Sequence, residues 1–293
     1  MNTQAAPGPW TVLKLLNWTR EYFTRAGIDE ARLSAEILLA NVLGCQRIEL
    51  YTRFDYQPTA GQLEAFRDLV ARAKAHEPIA YLVGVKEFYS LPFKVTSDVL
   101  IPRPETELLV SEAFSHLRKL GRPGLAWDVC TGSGCVAVAL AAQVKDATVL
   151  ATDISPGAVA VATDNVAANK VADRVRVRQA DLLTLPEDCA DMKEFDVITA
   201  NPPYVARGQE VAESVKHEPP VALWAGKTGL EMIGPIIQKA PEMLRAGGVL
   251  AIEFGLDQAD AVRDGIVAAG SFAEPRILRD HQGIERAAVA VKK

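Results

Sequence analysis

Residues that bind metals or form disulfides are scarce in this sequence. Its 293 residues include only four cysteines and four histidines. They are Cys45, Cys130, Cys135, Cys189, His76, His116, His217 and His281. No two cysteines form a Cys-x-x-Cys pair, and metal sites usually bring their ligands close together in the chain, so we predict no metal site. The cysteines are expected to be small buried thiols in a reducing compartment.

Long apolar runs and an excess of positive charge are also missing. Even residues 136–144 are shorter than a membrane span, and residues 1–9 lack the basic and apolar regions of a secretory signal. The formal net charge is -5, and residues 1–100 carry equal numbers of basic and acidic side chains. Proteins that bind nucleic acid directly usually have a basic face. We therefore expect a cytoplasmic protein that binds neither a membrane nor nucleic acid directly.

The hydrophobic pattern divides the chain into three parts. Residues 1–84 place apolar side chains at helical spacing, with glycine and proline at the breaks, which predicts a bundle of short helices. Residues 85–104 predict a β-hairpin followed by a stiff proline connector. Residues 105–293 begin with another helix and carry the motifs discussed below, so we predict that they form the catalytic domain.

The hairpin and its connector have a distinct pattern. Residues 86–89 and 92–95 are strand-like and flank Ser90-Leu91, which we predict to be the turn. The connector at 101–104 reads Ile-Pro-Arg-Pro. Because proline fixes φ and disfavours helix in the residue before it, this segment is expected to be rigid.

Beyond residue 121 strands and helices alternate. Strand-like segments lie at 125–130, 148–153, 175–179, 195–200 and 249–254. Helical segments lie at 135–144, 158–169, 230–244 and 258–268. Two short strands near 274–278 and 286–291 are expected to close the sheet in the antiparallel sense. This alternation predicts an α/β fold with a mainly parallel seven-stranded sheet that is covered on both faces.

The first of these strands runs into a loop that contains two glycines. Residues 130–134 read Cys-Thr-Gly-Ser-Gly, and Ala137 completes a Gly-x-Gly-x-x-Ala spacing. Gly132 and Gly134 allow a tight turn and a close approach of the backbone to a ligand. A glycine pair alone is a weak signal, but here it joins a strand to a helix, where open α/β sheets bind nucleotides. The loop therefore predicts a nucleotide-type ligand.

Carboxylates follow the next two strands. Asp153 ends the second strand, 19 residues after Gly134, where a carboxylate can accept hydrogen bonds from both ribose hydroxyls. It could instead cap the following helix, but Ser155 is better placed for capping. Asp181 and Leu182 follow the third strand and are placed to contact an adenine, although Asp181 could equally be a turn residue. These features fit either NAD or S-adenosylmethionine.

The fourth strand ends in the most informative tetrapeptide of the chain, Asn201-Pro202-Pro203-Tyr204. An amide nitrogen is a poor nucleophile because its lone pair is conjugated with the carbonyl, as the barrier of about 18–20 kcal/mol to amide rotation shows. The side-chain carbonyl of Asn201 and a main-chain carbonyl such as that of Pro202 can accept both N–H groups of a target amide. The prolines keep these acceptors rigid, and Tyr204 can stack on the flat amide.

Several further runs make the sequence resemble the HemK/PrmC family of release factor glutamine methyltransferases. The resemblance covers nearly the whole chain and includes the helical front end, the glycine loop and Asn-Pro-Pro-Tyr. The other runs are residues 77–84, 88–89, 99–107, 217–223, 229–230, 247–248 and 253–255. The combination of the proline-arginine connector with Asn-Pro-Pro-Tyr is highly specific to this group.

The resemblance implies a Rossmann-like methyltransferase domain that uses S-adenosylmethionine and releases S-adenosylhomocysteine. It also implies a helical front domain that docks a release factor, whose Gly-Gly-Gln glutamine is methylated on N5. The implied cofactor site is Cys130, Thr131, Gly132, Ser133, Gly134, Asp153, Asp181, Leu182 and Asn201. The implied glutamine site is Asn201, Pro202, Pro203 and Tyr204, of which Asn201, Pro202 and Tyr204 are the expected catalytic residues. We expect the protein to act as a monomer.

One residue departs from the family pattern. The family usually has glycine at the first position of the loop, where this chain has Cys130. If the position requires only a small side chain, cysteine is tolerable. If it requires a positive φ, cysteine is strained there and cofactor affinity could suffer.

Other activities are compatible with parts of the pattern. A methyltransferase acting on adenine N6 of DNA or RNA also uses Asn-Pro-Pro-Tyr, and a sister enzyme methylates a glutamine of a ribosomal protein. The lack of a basic run disfavours the first, and the Pro-Arg-Pro-Glu-Thr-Glu run at 102–107 disfavours the second. An NAD-dependent oxidoreductase would need a proton relay that the sequence does not show. A binding module without catalysis is disfavoured by the presence of Asn201.

Overall fold

A computed structural model describes residues 9–293, which form two compact units. The first unit holds the described residues up to Gly84 together with Ala212–His217, and the second holds Val85–Val211 and Glu218–Lys293. Residues 1–8, part of the segment interpreted as lacking a secretory signal, lie outside the described residues. Within the part of the chain that is described, no helix is both long and apolar enough to span a membrane.

The first unit is helical, as predicted. Its α-helices are α1 (Val12–Arg25), α2 (Ala31–Leu43), α3 (Ala60–Lys74) and α4 (Ile79–Val83), with 3-10 helices at Arg47–Thr52 and Val215–His217. The hydroxyls of Thr11 and Thr59 cap α1 and α3 by accepting backbone N–H groups that have no partner within the helix. The core of the bundle is apolar and includes Val12, Phe23, Leu38, Leu39, Leu50 and Phe66.

The second unit begins with the predicted hairpin. Strand β1 (Val85–Phe88) pairs antiparallel with β2 (Leu91–Lys94). The turn lies one residue earlier than the sequence predicts, because Tyr89 and Ser90 form it, with φ values of 51° and 60°. Two left-handed residues are what a two-residue hairpin turn needs to match the twist of its strands. Leu91 instead belongs to β2 and packs against the apolar core.

The proline connector leads into a helix that the spacing predicts. A 3-10 helix at Pro104–Thr106 continues into α5 (Glu107–Arg118). The side chains that share one side of α5 are buried, namely Leu109, Val110, Ala113 and Leu117.

A seven-stranded sheet forms the centre of the second unit. Its strands are β3 (Gly124–Val129), β4 (Ala147–Asp153), β5 (Val175–Gln179), β6 (Phe195–Ala200), β7 (Leu244–Glu253), β8 (Arg276–Arg279) and β9 (Glu285–Val291). The strand order is β5-β4-β3-β6-β7-β9-β8. Strands β3 to β7 pair with one another in the parallel sense, whereas β9 pairs antiparallel with β7 and β8. This confirms the predicted mainly parallel sheet with an antiparallel edge.

Helices cover both faces of this sheet. They are α5, α6 (Cys135–Gln143), α7 (Pro156–Ala168), α9 (Ile233–Met243) and α10 (Ala259–Ala268). The short helix α8 (Pro220–Leu223) lies between β6 and α9 in the chain. Neighbouring residues of a strand point to opposite faces. Accordingly, Trp127 packs in the cluster that contains α9 and α10, while Ala126 packs in the cluster that contains α5 and α6.

The strand order creates a switch point beside β3. From β3 the chain proceeds outward to β4 and β5, and it then crosses back to place β6 and β7 on the other side of β3. Open α/β sheets bind ligands in the crevice at the carboxyl ends of the strands at such a point. The loops that follow β3 and β6 carry the two motifs found in the sequence, and both loops lie at this switch point.

Candidate active site

A cavity of about 350 Å³ lies at the carboxyl ends of the central strands. Its walls come from the loops after β3, β4, β5 and β6, from the proline connector and from the segment around α8. The predicted site residues that line it are Cys130, Thr131, Gly132, Ser133, Asp153, Asp181, Leu182, Asn201 and Pro203. The predicted residues that lie outside the lining are Gly134, Pro202 and Tyr204.

The two glycines of the first loop have different tasks. Gly132 and Gly134 both adopt left-handed backbone, with φ values of 55° and 77°. A Cβ on Gly132 would meet nothing within 4 Å, so this residue borders the open cavity. A Cβ on Gly134 would lie 3.2 Å from the Cβ of Ala162 on α7. Gly134 therefore allows the helices to pack closely, and its contribution to a ligand site is through the shape of the loop.

A buried carboxylate beneath the loop holds it in place. Asp128 is 2% exposed and accepts hydrogen bonds from the hydroxyls of Thr131, at 2.5 Å, and Thr199, at 2.7 Å. Burial raises the pKa of Asp128 to about 6. The two hydroxyls join the loop after β3 to strand β6, so the glycine loop and the strand that carries Asn201 are held in one arrangement.

Cys130 occupies the strained position that the sequence left open. Its φ is 57°, in the left-handed region that favours glycine. Cys130 is half-buried and lines the cavity, and burial raises the pKa of its thiol. The position thus requires a positive φ, and this chain places a cysteine there at a cost of about 1–2 kcal/mol.

Two substitutions at Cys130 test this strain. Cys130→Gly is expected to be more stable than Cys130→Val by about 2 kcal/mol in unfolding free energy, because a β-branched side chain is unfavourable at this φ. Urea denaturation measures the difference. The same pair at Cys135, the first residue of α6, serves as a control and should not favour glycine in this way, because Cys135 does not have a positive φ. Equal stabilities of the two Cys130 variants would show that the backbone relaxes.

Asp153 borders the loop and the cavity. One carboxylate oxygen accepts the backbone N–H of Gly132 at 2.9 Å, and the other accepts that of Ser155 at 2.9 Å. Burial raises its pKa. The helix cap is made by Ser155, whose hydroxyl accepts the N–H of Ala158 at 3.2 Å. Each carboxylate oxygen has a further lone pair, which is available to a ligand in the cavity.

Asp181 and Leu182 both lie on the cavity wall after β5. Asp181 is exposed, whereas Leu182 is half-buried and packs against the apolar core. Leu182 has a φ of 43°, so the chain turns sharply at this position. The polar and apolar side chains thus stand side by side, and which of them makes the main contact with an adenine stays a prediction.

In the side-chain amide of Asn201, the nitrogen forms a hydrogen bond and the oxygen has no partner among the described residues. Its Nδ2 donates to Thr106 Oγ1 at 3.1 Å. Its Oδ1 is buried and has no hydrogen-bond partner among the described residues. A buried acceptor without a partner costs about 1–3 kcal/mol, so such groups are rare in folded proteins. The side chain thus offers a carbonyl oxygen at the cavity.

Pro202 and Tyr204, which follow Asn201 in the motif, lie outside the lining of the cavity. Pro202 is buried. The Tyr204 hydroxyl donates to Glu253 Oε1 at 3.3 Å, and its main-chain carbonyl accepts from Gln258 Nε2 at 3.0 Å. Burial raises the pKa of Tyr204, so the phenol is neutral. The predicted stacking of Tyr204 on a target amide stays a prediction, because its ring is not part of the cavity wall.

Two residues that sequence reasoning did not assign complete the surroundings of Asn201. The Thr106 hydroxyl, which accepts from Asn201, donates to Glu253 Oε2 at 2.7 Å. Both side chains are 2% exposed. Burial raises the pKa of Glu253 to about 7. Both residues lie in runs that carry the family resemblance, 99–107 and 253–255, but nothing in the sequence indicates that they meet.

A second unassigned pair fixes the connector. The buried carboxylate of Glu218 accepts the backbone N–H of Ile101 at 3.0 Å and forms an ion pair with Arg103. Arg103 lines the cavity, as do Val221, Ala222 and Trp224 just beyond Glu218. Glu218 therefore joins the connector to the segment that forms another wall of the cavity.

The cavity suits the adenosine-type cofactor that the sequence predicts. Two of its lining residues, Ser133 and Asn201, have buried oxygens without a hydrogen-bond partner in the described part of the chain. Gly132 leaves open space where a side chain would project, and Asp153 offers carboxylate lone pairs beside it. Among residues 9–293, no three His, Cys, Asp or Glu side chains are grouped so as to hold a metal ion.

Comparison with known families and sequences gives a consistent result. Residues 14–84 match the family described as PrmC N-terminal domain, and residues 105–255 match the Methyltransferase small domain. The release factor glutamine methyltransferase of Rhodopirellula baltica is 42% identical over 284 residues, which are 95% of this chain and 95% of that protein. The protein of the same name from Geobacter sulfurreducens is 40% identical over 283 residues, 96% of each chain.

A solved structure shares the fold. The hMettl16 catalytic domain in complex with MAT2A 3'UTR hairpin 6 matches 76% of this chain and 81% of its own, with a TM-score of 0.56. At 18% identity this likeness shows the fold alone. The shared fold is the Rossmann-like methyltransferase fold that the sequence predicts, and that prediction is confirmed.

Proposed function

The chain belongs to the family of release factor glutamine methyltransferases, and from this premise we propose that it methylates N5 of a release-factor glutamine. The methyl donor is S-adenosylmethionine, and the product cofactor is S-adenosylhomocysteine. The glutamine is that of a Gly-Gly-Gln motif. This activity agrees with the similarity to the relatives over nearly their full length.

One observation carries this proposal at the level of chemistry, namely the unpaired carbonyl oxygen of Asn201. A donor from a ligand would satisfy this buried acceptor beside the cavity. A carboxamide NH₂ supplies two donors, and Oδ1 of Asn201 can accept one of them. The main-chain carbonyl of Pro202 is proposed to accept the other. Pro202 and Pro203 fix φ on either side of this acceptor, so its direction is set before the substrate arrives.

The chain's contribution to the reaction is to hold and orient the amide. When bound, S-adenosylmethionine supplies a methyl group that its sulfonium already activates. Acceptors on both N–H groups favour the pyramidal, partly positive nitrogen of the transition state. The two acceptors also orient the lone pair of the amide nitrogen toward the methyl group. This orientation contributes a large part of the rate enhancement, because the reacting atoms must be aligned. A strong base is not needed before attack, and the surplus proton can leave to solvent.

The cofactor is proposed to lie along the loop after β3. Cys130, Thr131, Gly132 and Ser133 would border it through their backbone and the Ser133 hydroxyl. Asp153 would accept from the ribose hydroxyls with the lone pairs that Gly132 and Ser155 leave available. Asp181 and Leu182 would contact the adenine. All of these residues line the same cavity as Asn201.

The partner and the setting follow from this activity. We propose that the helical first unit docks the release factor, since residues 14–84 match a domain named for this group. We also propose that the protein is a monomer, acts in the cytoplasm where release factors work, and binds neither nucleic acid nor membrane. The even charge balance of residues 1–100 supports a protein partner over a nucleic acid.

Labelled S-adenosylmethionine and a purified release factor test the proposal. Transfer of label to the Gly-Gly-Gln glutamine, located by mass spectrometry, is the expected result. A release factor in which that glutamine is replaced by alanine is the matched control and should take up no label. Two further arms use ribosomal protein and adenine-containing DNA or RNA. Label in one of these arms but not in the release factor would replace the proposed substrate by a ribosomal-protein glutamine or by adenine N6.

A further inference from the structure

A chain of hydrogen bonds runs from strand β7 to the active-site asparagine. Glu253, at the end of β7, accepts from the Thr106 hydroxyl at 2.7 Å, and Thr106 accepts from Asn201 Nδ2 at 3.1 Å. Thr106 and Glu253 are each 2% exposed, so bulk water does not compete for these bonds. The three residues come from distant parts of the chain and meet only in the folded protein.

Counting donors along this chain gives the direction of each bond. An ionised carboxylate only accepts, and a threonine hydroxyl has a single proton. The proton of Thr106 is therefore committed to Glu253, and Thr106 can only accept on the side of Asn201. The amide of Asn201 must then turn its NH₂ toward Thr106. Its Oδ1 consequently points away from Thr106, which is the orientation with the unpaired oxygen.

The opposite orientation of the Asn201 amide would not serve the reaction. It would place the NH₂ of Asn201 where Oδ1 now lies, so that a donor would face the NH₂ of the target glutamine. The two orientations have the same shape, and packing alone distinguishes them poorly. The hydroxyl of Thr106 distinguishes them by hydrogen bonding, because it has no second proton to give.

We propose that Thr106 and Glu253 are positioning residues that hold the amide of Asn201 with its oxygen toward the substrate. This inference rests on the proposed function and adds to it two residues that act through Asn201. Thr106 sets the direction of the amide, and Glu253 sets the direction of the Thr106 hydroxyl. Tyr204 helps by donating to the other oxygen of Glu253 at 3.3 Å.

Protonation of Glu253 allows the hydrogen bonds of Thr106 to reverse their direction. A protonated Glu253 can donate to Thr106, which frees the hydroxyl proton of Thr106 to turn toward Asn201. Burial raises the pKa of Glu253 to about 7, against the hydrogen bonds from Thr106 and Tyr204. The other titratable or charged groups around it are Glu105, Arg286 and Cys135. Activity should therefore fall as the pH drops through about 7, because the protonated form loses the acceptor that orients Thr106.

Substitutions of Thr106 are the direct test. Thr106→Val keeps the shape of the side chain and removes the hydroxyl, and it is expected to lower kcat roughly 10-fold or more through loss of one orienting hydrogen bond. Thr106→Ser keeps the hydroxyl and should retain kcat within about threefold. Cofactor affinity, measured by calorimetry, should be the same in both variants and in the wild type. Wild-type kcat in folded Thr106→Val, or an equal loss in Thr106→Ser, would overturn the proposal.

A readout on the unloaded protein separates this inference from the proposed function. The side-chain ¹⁵N–¹H₂ signals of Asn201, assigned as those missing from Asn201→Ala, report whether one amide proton is hydrogen-bonded. Slow exchange of one proton is expected in the wild type and in Thr106→Ser, and its loss is expected in Thr106→Val. This result does not depend on the substrate. If the release factor were not methylated at all, the proposed function would fail while the amide orientation was still measured.

Glu253→Gln tests the part played by the carboxylate. Glutamine can still accept from Thr106 through its oxygen, and its NH₂ can donate to the Tyr204 hydroxyl. The variant is therefore expected to retain measurable activity but to lose the fall of kcat between pH 8 and about pH 6. A variant that kept the wild-type pH profile would remove Glu253 from the proposal.

Discussion

Replacing Asn201 by alanine is expected to lower kcat for release-factor methylation by roughly 10²–10³-fold, the usual effect of removing one preorganised electrostatic contact from a transition state. The substitution deletes the buried Oδ1 that has no partner among the described residues. It also removes the N–H group that donates to Thr106 Oγ1. Steady-state kinetics with a purified release factor measure the loss.

The same variant should still bind its cofactor. Asn201 borders the cavity at the end of β6, whereas the loop after β3 and Asp153 form a different wall. Calorimetry is therefore expected to show a Kd for S-adenosylmethionine that changes much less than kcat. Asn169→Ala is a matched control, because Asn169 donates to Pro92 O and Asn165 O away from the cavity. Normal methylation by Asn201→Ala would eliminate the amide-holding mechanism.

Replacing Asp153 by alanine is expected to raise the Kd for S-adenosylmethionine about 10²-fold. Hydrogen bonds to a charged group contribute about 1.5–3 kcal/mol each, and the ribose offers two hydroxyls. The substitution also removes the acceptor of the Gly132 and Ser155 N–H groups, so the loop itself becomes less ordered. Calorimetry gives the affinity, and kcat at saturating cofactor should change far less.

Asp153→Asn separates the two contributions of this carboxylate. Asparagine keeps one acceptor oxygen for the loop and loses the charge and the second acceptor. Its effect on affinity is expected to lie between those of the wild type and of alanine. Unchanged affinity in both variants would show that Asp153 serves only the fold of the loop.

The local features of the site could be predicted from the sequence. A strand that runs into Gly132 and Gly134 and then into a helix describes one continuous segment, and so does a strand that ends in Asn201 and two prolines. In a parallel sheet the carboxyl ends of strands share one edge. The strand-helix alternation therefore predicts that the two motifs lie at the same end of the sheet.

The supporting contacts could not be predicted in this way. Thr106 and Glu253 are 147 residues apart, and Arg103 and Glu218 are 115 residues apart. Periodicity reports which side chains are buried near each other along one element, but it does not pair polar residues across the fold. A buried threonine or glutamate has the same sequence signature whether it supports an active site or only the core.

The backbone conformation at Cys130 could be questioned from the sequence but not predicted from it. The sequence shows that a residue differs from the glycine usual in the family, and it poses the question of whether the position needs a positive φ. Only the dihedral angle of 57° answers it. Backbone conformation at a single loop residue depends on the strands and helices on both sides, which a local pattern does not describe.

The burial of Cys130 has a consequence for how the protein should be handled. Thiols react with oxidants and alkylating agents as thiolates, and a raised pKa keeps this thiol in its protonated form at neutral pH. Cys135, which lines the same cavity, is protected in the same manner, with a pKa raised to about 12 by burial. The cysteine that stands in place of the usual glycine is therefore expected to react slowly with oxidants and alkylating agents at neutral pH, and methylation is expected to proceed at the same rate with or without a reducing agent.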